Sequence, residues 1–240
     1  SASRVLYRRC LSFDGVDDYI EITNPLIQGS DFTISFWAKL NTIKNQCFFC
    51  SRTLLGSGVA IFALTNNSIR VDTGTDLDNK AAQWNTGYDI PINTRTHIAV
   101  VKNTSGIFLY INGNLYSSTS TVGDMSNLSN IATLGISQTD GNGFGNQLNG
   151  VVDEVRIWNT ARTQQQIQEN MNKELTGNEP GLVGYWKLNE GTGTIAHDST
   201  ANANHGTIYG ATWVDGVPPT LYDLAQNILQ DAGLTEEEYY

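Results

Sequence analysis

Carboxylates gather in two segments that lie far apart in the chain: Phe13-Asp14-Gly15-Val16-Asp17-Asp18-Tyr19-Ile20-Glu21-Ile22 and Gly150-Val151-Val152-Asp153-Glu154-Val155-Arg156-Ile157-Trp158-Asn159. Acids this close together suit divalent cations, whose preferred ligands are hard oxygens, or they simply solubilise a surface. In each segment the acids adjoin apolar/polar alternation. A period of two marks a half-buried strand, so the acids would be held at the ends or edges of neighbouring strands.

A third polar run, Asp140-Gly141-Asn142-Gly143-Phe144-Gly145-Asn146, alternates Asp, Asn and Gly like a calcium loop but lacks the closing bidentate Glu of an EF-hand. It could instead contact a sugar, with Asp140, Asn142 and Asn146 as polar groups and Phe144 as an apolar platform; it also reads as an ordinary surface loop. Pyranose rings present apolar faces that stack on aromatic side chains. Trp84 and Tyr88, in the polar stretch Ala82-Gln83-Trp84-Asn85-Thr86-Gly87-Tyr88-Asp89, are therefore expected as ligand contacts. Trp37, Trp158 and Trp186 lie in strand patterns and are expected in the core or between sheets.

Other chemistries find less support. Cys47-Phe48-Phe49-Cys50 has CxxC spacing, yet no second CxxC and no His ligand motif accompanies it as a zinc site would need. A thioredoxin-type pair would open a helix, whereas this one sits in a strand-like run, so the thiols of Cys10, Cys47 and Cys50 are expected reduced and buried. The histidines are His97, His197 and His205; the first opens a strand and the others flank a turn-rich loop, which gives no Ser/His/Asp arrangement. No Walker-type or dinucleotide-binding glycine motif is present.

Composition narrows the partners. At 240 residues, 40% hydrophobic and 16% charged, the chain can bury a real core as one large β domain or two smaller ones. A formal net charge of −10 argues against nucleic acid, since phosphate binding needs clustered Lys and Arg. Arg4, Arg8 and Arg9 form the one basic cluster and read as a solvated end or linker. Nothing reads as a signal peptide or a membrane span: the apolar runs at 34–40 and 98–101 fall far short of the about 20 residues a spanning helix needs.

The elements that would position these residues are mostly strands. Alternation predicts strands at 11–13, 19–22, 32–40, 48–51, 59–65, 68–72, 97–102, 107–112, 130–136 and 151–158, with Asn66-Asn67 and Asn112-Gly113 as tight hairpin turns. One amphipathic helix stands out. Thr163-Gln164-Gln165-Gln166 is a capping box, Ile167, Met171 and Leu175 keep helical spacing, and Gly177 is the stop; the helix is expected to pack on a sheet edge. Strand character returns at 181–188 and 206–214, and this late segment is expected to complete the sheets begun at residue 11. After Pro218-Pro219, Thr220 caps a second helix with Leu221, Leu224, Ala225, Ile228, Leu229 and Ala232 on one stripe.

Four stretches carry a family resemblance: 11–20, 32–40, 97–101 leading through Leu109-Tyr110-Ile111-Asn112-Gly113, and 148–159 with its trailing helix. Over roughly residues 10–214 the chain resembles the laminin-G-like (concanavalin A-like lectin/glucanase) jelly-roll family. The resemblance implies an all-β fold, an antiparallel two-sheet jelly-roll β-sandwich with a short peripheral helix and a C-terminal helical extension. It divides the chain into a lead-in at 1–10, the jelly-roll domain at 11–217, and 218–240 as a helical extension or the start of a further domain. Calcium carried over from the family falls on Asp14, Asp17, Asp18 and Asp153, with Asp198 and Asn204 closing the sphere. Read without the family, Asp17 and Asp18 are turn residues and Asp153 pairs with Arg156 or caps main-chain amides.

Function follows as a class. Hydrolases of this fold carry a Glu-x-Asp-x-x-Glu strand, which is absent, so the resemblance implies a non-catalytic module binding a glycan or cell-surface polysaccharide. The expected setting is an extracellular, cell-surface or virion protein, since the tail around 221–234 faintly resembles tailed-phage structural proteins. The alternative is a structural or oligomerisation domain of a virion or tail protein. Other domains of a parent protein, and a second copy meeting through the C-terminal helix, are the further expected partners.

Overall fold

In the computed structural model, which describes residues 9–23, 27, 31–51, 58–74, 82–123, 125, 131–139 and 143–216, the alternation at Phe32–Leu40 is a strand. Phe32, Ile34, Phe36, Ala38 and Leu40 are buried in the core, and Trp37 stands on the opposite face. The strands in chain order are β1 (Arg9–Asp14), β2 (Tyr19–Ile22), β3 (Phe32–Leu40), β4 (Gln46–Cys50), β5 (Gly58–Ala63), β6 (Ser68–Gly74), β7 (Ala82–Asp89), β8 (Thr96–Asn103) and β9 (Gly106–Ile111). They continue with β10 (Asn114–Thr119), β11 (Ala132–Leu134), β12 (Ser137–Thr139), β13 (Gly143–Gly145), β14 (Asn149–Trp158), β15 (Leu182–Trp186), β16 (Ile195–Ala196), β17 (Gly206–Tyr209) and β18 (Thr212–Asp215). A single helix among the described residues, α1 (Gln164–Asn170), follows β14.

Two antiparallel sheets face each other as a jelly-roll β-sandwich. The first runs β10-β9-β8-β3-β14-β1-β18, with β15 also paired to β14; the second runs β16-β17-β2-β11-β4-β5-β6-β7. Between them lies one apolar core in which Phe36 meets Phe48 at a centroid distance of 5.4 Å. Late and early strands meet as the jelly roll requires: β18 pairs with β1 and β17 with β2. The segment read as one strand at 206–214 is two. The chain changes sheets at Gly210, whose positive φ of 73° suits a glycine turn.

Other differences from expectation have local causes. The polar stretch at 82–89, not among the expected strands, forms the edge strand β7, where an outward face free of packing leaves the sequence polar. Asn112-Gly113 is the tight turn expected, with φ of 48° and 78°, whereas the Asn66-Asn67 turn is wider and closes through Asn67 N–H donating to Leu64 O at 2.8 Å. A register shift between Cys47 and Phe49 turns both Phe48 and Phe49 into the core. Cys47 and Cys50 then pack outward with Ala60 and Phe62, and these thiols and that of Cys10 are buried and unbridged. Burial, then the Asp153 charge, pushes the Cys10 thiol up to about 11.

The capping box of α1 forms as predicted, Gln166 N–H donating to Thr163 Oγ1 at 3.2 Å and Thr163 N–H to Gln166 Oε1 at 3.0 Å. The helix stops at Asn170 and does not reach Gly177. It lies on the outer face of the first sheet, where Ile167 packs on Ala99 and Val101, and reaches the edge strand β10 through Gln168 Nε2 donating to Asn114 Oδ1 at 3.2 Å. Leu175 joins Trp158, Leu182 and Tyr185 in a separate cluster. The C-terminal helix expected from residue 220 lies outside the described residues, as do Asp140 and Asn142.

Candidate functional site

The β1–β2 loop concentrates charge at one end of the sandwich. Asp14 closes β1, its Oδ1 accepts from Val16 N–H at 2.7 Å, and its own N–H donates to Asp18 Oδ2 at 2.7 Å. Gly15 takes a φ of 87°, which lets the loop turn, and its carbonyl accepts from Lys44 Nζ at 2.7 Å. One ligand atom each from Asp14, Asp17 and Asp18 lies within 4.8 Å of the other two. Asp18 is buried while Asp14 and Asp17 are exposed. Burial, together with the charges of Asp14 and Asp17, raises the Asp18 pKa against the pull of the Asp14 amide.

The structure brings these three acids together and gives the other expected calcium ligands separate work. Asp153 is paired with Arg95 at 3.1 Å, and Arg95 lies over the Trp37 ring at 4.1 Å. Its neighbour Glu154, at a φ of 54° where the β14–β3 register shifts, holds Arg156 at 2.6 Å and accepts from Tyr185 OH at 2.6 Å. Arg156, an expected partner of Asp153, pairs with Glu154 instead, beside the register shift. Asp198 spends its oxygens on the 198–205 loop, accepting from Tyr185, Thr200 and Asn204 N–H, each at 2.9 Å. Asn204 belongs to that same loop, and its carbonyl accepts from Trp186 Nε1 at 3.0 Å.

The buried network beside Arg156 carries a pH signature. Burial, then the charges of Arg156 and Arg95, lowers the His97 pKa from 6.5 to about 3. The unfolded chain takes up that proton near its ordinary pKa while the folded protein does not, so stability is fully present above 6.5 and drains away as pH falls towards about 3. Asp18, with its raised pKa, works in the opposite sense in the carboxylate range. Urea unfolding between about pH 7 and pH 4 is expected to show a falling midpoint, and His97→Gln a shallower fall. An unchanged slope in the variant would assign the acid sensitivity to other groups.

Aromatic residues sort differently from the sequence reading. Trp84 and Tyr88 sit on the inward face of β7, half-buried against the core. Tyr88 meets Tyr116 edge-on at 5.0 Å, and Tyr116 OH donates to Gly87 O at 2.9 Å, so this pair seams the second sheet to β10 of the first. Asn146 is tied down by Nδ2 donating to Ser137 Oγ at 3.0 Å, and Phe144 lies in β13 opposite Gln138. The aromatic surface stands elsewhere. On the outer face of the second sheet Tyr19 and Tyr209 are direct cross-strand partners, stacked at 4.5 Å with planes 15° apart, and Tyr209 is 42% exposed. Glu21 shares that face, and Asp17 and Asp18 immediately precede Tyr19. Period-two alternation in Tyr19–Ile22 and Gly206–Tyr209 does place both tyrosines outward, but their pairing is a tertiary fact.

Comparison with known proteins fits this architecture. A structure of a candidate carbohydrate-binding protein from Bacteroides ovatus superposes with a TM-score of 0.69 at 18% identity, over 90% of this chain and 62% of that one. The chain thus spans less than two thirds of that protein's length. A heptameric SAP-like pentraxin from Limulus polyphemus matches at 0.63 and 14% identity, over 92% of this chain and 100% of that one. Domain 4 of an extracellular GH43 arabinanase from Geobacillus stearothermophilus, solved with arabinotriose, matches at 0.55 and 20% identity, over 66% and 74%. At these identities the likeness is one of fold. No curated protein sequence matches the chain. The laminin-G-type sequence model described as "Concanavalin A-like lectin/glucanases superfamily" matches residues 14–168, more than half the chain, and the protein belongs to that superfamily.

Proposed function

We propose that the chain is a non-catalytic glycan-binding module that reads polysaccharide outside the cell or on a particle surface. The observation that carries this reading is the stacked Tyr19–Tyr209 pair, with Tyr209 exposed, on the outer side of β2 and β17 beside the carboxylates of the β1–β2 loop. Aromatic faces bind the apolar side of a sugar ring, and nearby carboxylates accept from its hydroxyls. The two carboxylates of β14 are committed: Glu154 to Arg156 and Tyr185, Asp153 to Arg95. The arabinanase domain solved with arabinotriose is an instance of the fold holding a sugar.

A structural calcium is part of the proposal, and the donor set fits it. Asp14, Asp17 and Asp18 would hold the ion, because converging carboxylates suit a hard cation and their mutual repulsion is what it would relieve. The ion would stiffen the loop that leads into Tyr19. The expected result is glycan-microarray binding that weakens in EDTA, and a melting temperature that rises on adding calcium. A blank array would sink the glycan reading. Titration calorimetry without heat, together with an unmoved melting point, would sink the calcium.

A further inference from the structure

We propose that the face of Tyr209 turned away from Tyr19 is a stacking subsite for a neutral pyranose, selective against anionic glycans. The inference deepens the glycan-binding reading above and rests on it. Tyr19 covers one face of the Tyr209 ring, at 4.5 Å and 15° between planes, so the other face points across β17 towards β16. Ile195 opposes Thr207 and Ala196 opposes Gly206, and the same register continues through Ile208 N–H donating to Thr194 O at 2.8 Å. It therefore sets Gly193 opposite Tyr209. Gly193 has a φ of 83°, and no atom lies within 4 Å of where its Cβ would be. Glycine thus keeps the surface open on the side of Tyr209 away from Tyr19.

The opening is built to stay open. Trp213 Nε1 donates to Gly193 O at 3.0 Å, and the Thr194 bond holds the strip from its other side. Ile195, 48% exposed, stands along the slot opposite exposed Thr207 and gives it an apolar flank. The polar fringe is acidic: Glu21 is opposite Thr207 and close enough to Tyr19 to raise its pKa, and Asp17 lies in the loop that leads into that strand, with Asp14 beside it. Carboxylates accept hydrogen bonds from sugar hydroxyls. They repel uronates, sialates and sulfates, as does the net charge of −10. That complementarity favours a neutral polyol over an acidic chain.

The test uses the full chain against immobilised amylose, galactomannan and xyloglucan, with alginate, polygalacturonate and heparin as the anionic set. Binding is expected to at least one neutral polysaccharide and to none of the anionic ones. Tyr209→Ala is expected to weaken it about tenfold, and Leu115→Ser, exposed on the edge strand β10 of the first sheet, to leave it unchanged. Amide shift mapping on the wild-type protein, which does not depend on the variant folding, is expected to move Gly193 and Tyr209 first. Binding that survives Tyr209→Ala, or shifts that spare Gly193, would overturn the subsite while leaving the glycan reading intact. A preference for the anionic set would overturn the selectivity. No binding to either set would end both, and self-association abolished by Tyr209→Ala would reassign this face to a second copy of the chain.

Discussion

Arg156→Ala is expected to cost about 3–5 kcal/mol of folding stability, the range for breaking a buried ion pair by removing one partner. Arg156 is 2% exposed and Glu154 5%, so its loss strands a carboxylate out of water. The guanidinium also donates to Asn170 O at 2.6 Å and to Lys173 O at 2.5 Å, tying the end of α1 and the chain after it to the first sheet. Its position 5.1 Å over the Tyr185 ring adds a third tether. Lysine cannot replace this, because one ammonium cannot fork to Glu154 and two carbonyls. The double variant Glu154→Gln/Arg156→Met is expected to be less destabilised than Arg156→Ala, since no charge is left buried. Urea unfolding of the three proteins decides it; a cost under about 1 kcal/mol for Arg156→Ala would mean that water reaches Glu154.

Asp198→Ala is expected to cost roughly 3–9 kcal/mol, at about 1–3 kcal/mol for each of three buried main-chain donors left without its acceptor. Three main-chain N–H groups lose their partner, those of Tyr185, Thr200 and Asn204, while Thr200 Oγ1–H, which reaches Oδ2 at 2.9 Å, keeps Val183 O at 3.4 Å as a second acceptor. The loop they hold supplies the carbonyl bonded to Trp186 Nε1, and Trp186 is fully buried in the core. A red-shifted tryptophan emission should therefore accompany the lowered melting point. Asp198→Asn should fall between, because its NH2 would face amide donors. If Asp198→Ala melts like the wild type, the carboxylate is not the staple described. Calcium dependence of the variant's defect would reopen Asp198 as a ligand.

The strand pattern was legible because burial in a sandwich has a period of two. Phe32–Leu40, Val151 to Trp158 and the Asn112-Gly113 turn all read correctly from side-chain order and turn chemistry. Where a strand departs from that period, the reading slipped. At Cys47–Phe49 and at Asp153–Arg156 a register shift changes which residues share a face, and nothing in the side-chain order announces it. At β7 a polar outward face hid an edge strand within a polar stretch.

The candidate site was half legible. Asp14, Asp17 and Asp18 are neighbours in the chain, so their convergence was visible as composition, whereas Asp153 and Asp198 looked equally acidic and proved to be structural partners of Arg95 and of three amides. What the sequence by itself determined is the class of fold, the family and the acidic loop, since each depends on residues a few positions apart. The tertiary structure decided that Tyr19 meets Tyr209, that the surface at Gly193 stays open, and that Trp84 and Tyr88 turn inward. Those contacts join residues as much as 190 positions apart, and cross-strand register, which alternation does not encode, selects them.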